Sequence, residues 1–206
     1  MRNNQSMTLI DCHLHVWNTT VVDLPWLADV PQLGPQYDLR DADAAQGTKA
    51  TGVTAVVLVQ AENSVADTDY MVARQAEPGL AKAVVGWIDL TRPDLVSQQL
   101  ARWPAAPLVG TRHLIHDEPD PDWGIQPQVL RSLKLLGALN LSFDVLAERP
   151  ELLDHLPLLA QSAPGTILVL DHLGKPPLEA LRRNGVRDPE WQRWRGAQPA
   201  CQRSQR

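Results

Sequence analysis

Six short apolar runs recur along the chain, and their regular spacing limits the folds that are open to it. Each run is rich in Val, Leu and Ile, is nearly continuous rather than alternating, and is followed by polar or turn-forming residues. Such runs are typical of parallel strands that are covered on both faces. The sequence predicts strands at 9–15, 54–60, 83–90, 108–114, 138–143 and 167–172.

The segments between these runs have apolar residues at helical spacing. We predict helices at 39–51, 65–76, 93–103, 127–136 and 151–160. Regular alternation of strand and helix predicts a parallel α/β fold with right-handed crossovers. A doubly wound open sheet is the alternative, but no Gly-rich phosphate loop follows the first strand, where histidines stand instead.

Composition excludes several classes of protein. The 206 residues carry a formal net charge of −5, which argues against nucleic acid or an anionic membrane as a partner. No stretch approaches the roughly 18 apolar residues that a membrane-spanning helix needs. The two cysteines, Cys12 and Cys201, lie near opposite ends of the chain, so no disulfide framework is expected. The expected location is the cytoplasm.

Ionisable and polar residues follow five of the predicted strands. His13 and His15 alternate with Leu14 at the end of the first strand, so both imidazoles lie on one face, where they can share a divalent metal or contact a substrate. The carboxyl ends of barrel strands are where such active sites are built. The others are Gln60, Arg112, His113, His116, Asp144, His172 and Lys175.

Structural roles would explain several of these residues equally well. His13 and His15 could be a hydrogen-bonded structural pair, and Arg112 could simply form an ion pair with Asp144 or Glu118. Lys175 could be a solvated loop residue. Trp17 and Trp26 lie in the long Pro-rich segment after the first strand. They could line a sugar-binding pocket, or they could pack in the hydrophobic core.

Six segments in collinear order resemble the amidohydrolase-related family of sugar lactonases, which hydrolyse lactones of the L-fucono and L-rhamnono type. The similarity runs from about residue 9 to residue 194. The segments are DCHLHVW at 11–17, VLVQA at 57–61, GWIDL at 86–90, GTRH at 110–113, DEPD at 117–120 and LDHLGKP at 170–176.

The resemblance implies a TIM-type (β/α)8 barrel that hydrolyses a sugar-acid lactone at its carboxyl-terminal face. It implies metal-binding roles for His13, His15 and His172, with zinc as the divalent metal that such histidines could hold. It implies catalytic roles for Arg112, His113 and His172. The substrate-binding residues that we expect on this basis are Trp17, Gln60, His116, Asp144 and Lys175; relatives often have Gln where His116 stands.

The chain departs from the family pattern at its C-terminal end. Residues 182–206 hold seven Arg and only two acidic residues, and after Val186 there is no Leu, Ile, Val, Met or Phe. We therefore expect a partial barrel of about six βα units over 1–196 and a basic, disordered, non-family tail over 197–206, as a shifted reading frame would produce. The family's eighth strand carries a Gly-Ser-Asp-Trp-Pro type segment with the general-base aspartate, which this sequence lacks.

Three functions follow as expectations. The first is a truncated lactone hydrolase of doubtful activity, whose exposed barrel edges favour self-association. The second is a non-catalytic remnant or interaction module that another chain completes. The third is a decarboxylase or hydratase on the same barrel, although no extra basic cluster favours the carboxylated aromatic substrates of those enzymes.

Overall fold

The computed structural model describes residues 9–41, 52–77, 79–104, 107–148 and 150–203. The chain divides into two compact units. The first comprises residues 1–87 and 103–109, and the second comprises residues 88–102 and 110–206. Strand β6 (Leu108–His113) begins in the first unit and continues in the second.

Three parallel strands form the sheet of the first unit, namely β1 (Leu9–Leu14), β4 (Val53–Val59) and β5 (Ala81–Gly86). Strand β4 lies between β1 and β5, and the backbone N–H of Val84 in β5 donates to the carbonyl of Pro107 just before β6. A separate antiparallel ribbon pairs β2 (Trp17–Asn18) with β3 (Gln36–Tyr37).

The core of the first unit lies between β4 and helix α1 (Val65–Gln75). Leu58 and Met71 are fully buried there, together with Val16 and Val22 from the segment after β1. Ser64 caps the helix, because its Oγ accepts a hydrogen bond from the backbone N–H of Asp67 at 3.1 Å. This cap fixes the start of α1 directly after the polar end of β4.

Three further parallel strands organise the second unit: the end of β6, β7 (Ser142–Val145) and β8 (Leu168–Leu170). The register places Arg112 of β6 beside Asp144 of β7. The helices of this unit are α2 (Val96–Leu100), α3 (Pro127–Ala138), α4 (Pro150–Ser162), α5 (Leu178–Asn184) and α6 (Pro189–Arg203).

All six predicted strands are present, but the bounds of three of them differ from the predicted bounds by more than one residue. The strand predicted at 83–90 is Ala81–Gly86, because the Thr68 hydroxyl bonds the backbone of Trp87 and ends the ladder. The one predicted at 138–143 begins only at Ser142, since α3 continues to Ala138 and Asn140 then turns left-handed. The one predicted at 167–172 spans only Leu168–Leu170.

The helices also differ in part from their predictions. The segment predicted as one helix at 93–103 is a 3-10 turn, Pro93–Leu95, followed by the short helix α2. Helix α4 continues through Pro157. Helix α6 extends to Arg203, so residues 197–203, expected to be disordered, are helical. The helix predicted at 39–51 lies largely outside the described residues.

None of the helices in the described part of the chain is long and apolar enough to cross a membrane.

Gly137 in α3 lets the helix approach the turn before β8. A Cβ at this position would lie 2.6 Å from the Gly165 carbonyl carbon and 2.5 Å from Thr166 Oγ1, which itself donates a hydrogen bond to the Leu133 carbonyl. Neither the backbone nor the bonded hydroxyl can move aside easily. The sequence of α3 therefore requires glycine here.

We predict that Gly137→Ala lowers the free energy of unfolding by about 1–3 kcal/mol, because the new methyl group overpacks this contact. Urea unfolding followed by circular dichroism measures the change. Gly165→Ala is the matched control, since a Cβ there meets nothing within 4 Å. Equal stabilities for the two variants would contradict the close approach.

Candidate active site

His13 and His15 form a facing pair at the end of β1. Their Nε2 atoms are 3.2 Å apart, and the two rings meet edge to face. His15 Nδ1 lies 2.8 Å from the carbonyl oxygen of Val59. A carbonyl can only accept, so Nδ1 carries the hydrogen and the neutral ring keeps its lone pair on Nε2. The predicted common face of the two histidines is confirmed.

This pair fits a divalent metal. Zn–N bonds of 2.0–2.1 Å in a tetrahedral site place two ligand nitrogens about 3.3 Å apart, close to the separation of the two Nε2 atoms. The hydrogen bond from His15 to Val59 is also the kind of support that orients metal-bound imidazoles. His172, the third histidine expected as a ligand, lies in the second unit.

The other predicted site residues of the first unit are buried. Gln60 is fully buried just after β4, where its amide donates to Asn63 Oδ1 at 3.3 Å. Trp17 stacks on Tyr37, and its indole N–H donates to the Gly34 carbonyl at 3.2 Å. Trp17 therefore packs in the core of this unit, which agrees with the structural alternative for this residue.

A buried ion pair dominates the second unit. Arg112 Nε lies 2.7 Å from Asp171 Oδ2, and the two side chains are only 4% and 2% exposed. Asp171, at the end of β8, is the partner that this contact gives Arg112, whereas the sequence suggests Asp144 or Glu118. Arg112 is therefore held rigidly at the carboxyl end of β6.

Asp144 is a second buried carboxyl beside this pair. It lies opposite Arg112 in the β6–β7 register, and Ser142 Oγ donates to it at 3.4 Å. Burial, together with the negative charge of Asp171, raises the pKa of Asp144 to about 7, although Arg112 and Ser142 act in the other direction. A carboxyl with this pKa exchanges a proton near neutrality, as a general base or acid must.

His113 follows Arg112 and is almost completely buried. Its ring stacks on Trp123 with centroids 3.8 Å apart, and its Nε2 lies 2.6 Å from Glu118 Oε1. Burial lowers the pKa of His113 although the Glu118 carboxylate favours the imidazolium. A neutral His113 donates its Nε2 hydrogen to Glu118, which orients the ring.

The remaining predicted residues of this unit meet around Glu148, which lies after β7. Glu148 Oε2 is 3.4 Å from His116 Nε2, and Glu148 Oε1 is 3.5 Å from Lys175 Nζ. The same residues, Glu148 and Lys175, line a cavity of about 250 Å³ together with Trp194 and Arg193 of α6.

His172 and Lys175 lie in a left-handed run of backbone after β8. The φ angles of His172, Leu173, Gly174 and Lys175 are 50°, 56°, 69° and 49°. Each non-glycine residue in this region costs about 1–2 kcal/mol, so the surroundings must hold the segment. The indole N–H of Trp194 does so, by donating to the Leu173 carbonyl at 2.7 Å.

Asp171 and Glu148 are acidic residues of this site that the sequence patterns do not identify, and Glu118 is suggested only as an alternative partner of Arg112. Asp171 was visible beside His172, and a buried Arg112 requires a carboxylate, but several aspartates could have supplied it. Glu118 and Glu148 lie in loops after β6 and β7, where no periodicity predicts the direction of a side chain. Among the predicted residues, the second unit places Arg112 beside Asp144, and it places His116 and Lys175 on the two oxygens of Glu148.

We predict that Asp144 makes stability depend on pH. Because its pKa is higher in the folded chain than in the unfolded chain, its ionisation costs folding energy that is absent below about pH 4 and fully present above about pH 7. Asp144→Asn should therefore gain stability over the natural chain, by of the order of 2 kcal/mol more at pH 8 than at pH 5.

Urea unfolding at the two pH values tests this. Asp29→Asn, which removes an exposed carboxyl, is the control and should show no such gain. A stability difference between Asp144→Asn and the natural chain that does not change with pH would contradict the raised pKa.

The chain is similar to two curated proteins over most of its length. The chain is 33% identical over 191 residues to an L-fucono-1,5-lactonase of Burkholderia multivorans, covering 91% of this chain and 62% of that protein. It is 32% identical over 180 residues to an L-fucono-1,5-lactonase of Burkholderia ambifaria, covering 84% and 59%. The chain thus spans about three fifths of the length of these curated relatives.

A solved structure of a Burkholderia multivorans amidohydrolase with bound zinc matches with a TM-score of 0.80 at 30% identity, over 95% of this chain and 66% of that one. The same protein with bound HEPES gives a TM-score of 0.82 at 29% identity and the same coverage. The predicted fold class is confirmed as a partial barrel of this type. The amidohydrolase family pattern matches residues 10–203, beyond the boundary expected at residue 196, and the chain belongs to the amidohydrolase family.

Proposed function

We propose that the protein is a hydrolase of sugar-acid lactones, of the kind that the L-fucono-1,5-lactonase relatives act on. The observation that carries this proposal is Asp144, a buried carboxyl with a pKa of about 7 beside a fixed arginine at the carboxyl end of a barrel strand. The similarity to two lactonases over most of this chain supports the choice of substrate.

Lactone hydrolysis requires a base, a stabilised oxyanion and an acid. Water attacks the lactone carbonyl carbon, its proton goes to a base, and negative charge develops on the carbonyl oxygen. The ring C–O bond then breaks, and the leaving alkoxide takes a proton from the group that first accepted one. The product is a hydroxy acid, which at neutral pH dissociates into its carboxylate and one proton.

We assign the proton transfers to Asp144, because half of its population is ionised near pH 7 and can accept a proton. Arg112 supplies a permanent positive charge beside it, and the ion pair with Asp171 holds that charge in place. His113, which is neutral, donates its Nε2 hydrogen to Glu118, and this bond fixes the direction of the ring. His172 stays a sequence-based prediction as a catalytic residue.

Substrate binding in this proposal falls to His116 and Lys175, whose polar groups reach Glu148 at the edge of the second unit. Gln60 offers a buried amide at the end of β4. Trp17 contributes by packing the ribbon of β2 and β3, since its ring stacks on Tyr37 and its indole N–H donates to the Gly34 carbonyl.

For the metal, we propose His13 and His15 as ligands, with His172 as a third ligand on the ground of the sequence alone. A bound zinc ion would supply Lewis acidity toward a carbonyl oxygen. The two nitrogens that converge at 3.2 Å support this choice within the first unit.

The test of the function is a pH-stat assay of the 206-residue chain on L-fucono-1,5-lactone, with L-rhamnonolactone as a second substrate. We expect acid release above the spontaneous rate, and kcat/KM that rises with pH through about 7 as Asp144 ionises. Asp144→Asn should lower kcat by about 10²–10⁴-fold, as expected for loss of a general base. Asp29→Asn is the control, and hydrolysis no faster than without protein would refute the proposal.

The test of the metal site is zinc content after dialysis against limiting zinc, measured by mass spectrometry. We expect His13→Gln and His15→Gln each to lower zinc affinity by at least about tenfold, because each removes one ligand nitrogen. His155→Gln is the control, since His155 contacts Asp122 on a different element. Equal zinc binding by all three variants would exclude the pair as ligands.

A further inference from the structure

Glu148 bridges the two groups that we propose as substrate contacts. One carboxylate oxygen lies 3.4 Å from His116 Nε2 and the other lies 3.5 Å from Lys175 Nζ. A carboxylate thus already occupies the space between a histidine and a lysine, the pair of side chains that would bind the carboxylate of a ligand.

The three side chains are open to such an exchange. The Glu148 and Lys175 side chains are 43% and 44% exposed, and His116 is 26% exposed. Contacts of this length between exposed groups are weak and screened by solvent, so a ligand can displace Glu148. A second carboxylate, Asp117, lies 3.4 Å from His116 Nε2 and adds to the negative charge around the imidazole.

The proposed reaction changes the charge of the ligand. A lactone has no charge, whereas the hydroxy acid that forms from it is an anion at neutral pH. Ring opening therefore creates a carboxylate near a site whose matching donors are already held by Glu148, and Asp117 repels it further.

We propose that Glu148 is a specificity-determining residue that competes with the product carboxylate for His116 and Lys175, so that the site takes neutral lactones and releases their acids. This inference rests on the proposed function, because it names the charge class of the substrate of that same site. It also implies that anionic lactones and free sugar acids bind poorly.

Binding of L-fuconate by calorimetry tests the proposal on the full chain. Glu148→Gln keeps the size of the side chain but removes its charge. We expect it to bind L-fuconate about five- to tenfold more tightly than the natural chain, with a gain that declines as salt is added. In the assay on the lactone, the same variant should show stronger inhibition by added L-fuconate.

Two further variants make the result specific. Glu179→Gln removes an exposed carboxylate that pairs with Arg182, so it matches the change in net charge and should bind L-fuconate within about twofold of the natural chain. Lys175→Met in the Glu148→Gln background should abolish the gain.

The proposal is overturned if Glu148→Gln gains no affinity, including the case in which neither chain binds the acid. It is equally overturned if Glu179→Gln gains as much, or if the gain survives Lys175→Met. Absence of lactone turnover with a normal gain in acid binding would instead refute the proposed function and leave the carboxylate competition standing.

Discussion

The buried contact between Arg112 and Asp171 sets the charge balance on which the second unit depends. An arginine stays charged at all ordinary pH values, and at 4% exposure its charge needs a partner inside the protein. Asp171 is that partner, so the pair fixes the end of the short strand β8 to β6. Asp144 is a second buried acid beside this pair, and its burial, followed by the negative charge of Asp171, raises its pKa to about 7.

The order and type of the strands could be predicted from the sequence, because buried parallel strands need continuous apolar runs whatever surrounds them. Their ends could not. The ladder of β5 stops at Gly86 through a hydroxyl of Thr68, and β7 starts late because Asn140 takes a left-handed turn. Both events depend on contacts between residues that no local pattern connects. Helix α6 extends through residues 197–203, which contain no large aliphatic residue.

For the candidate site, the sequence likewise predicted the positions of some side chains but not their contacts. Strand alternation was enough to place His13 and His15 on one face. The position of Arg112 at a strand end was enough to predict it as a site residue. The sequence did not predict which carboxylate each cation meets. Asp171 meets Arg112 because of where β8 ends, and Glu148 meets Lys175 because of the path of the loop after β7. A polar residue in a loop has no periodicity from which the direction of its side chain could be predicted. The long loop after β1 made Trp17 a candidate for substrate binding, and in the structure its ring packs on Tyr37 in the core of the first unit.

The left-handed backbone after β8 has a higher conformational energy than extended or right-handed backbone, so other contacts must hold it. His172 and Lys175 occupy backbone shapes that an isolated peptide would leave, and they are kept there by Trp194 of α6 and by the close packing of Gly174 on Leu153 of α4. Two helices that provide none of the proposed catalytic groups therefore hold the backbone of the predicted site residues His172 and Lys175. The packing of α4 and α6 thus limits the backbone conformations that are open to the segment 172–175.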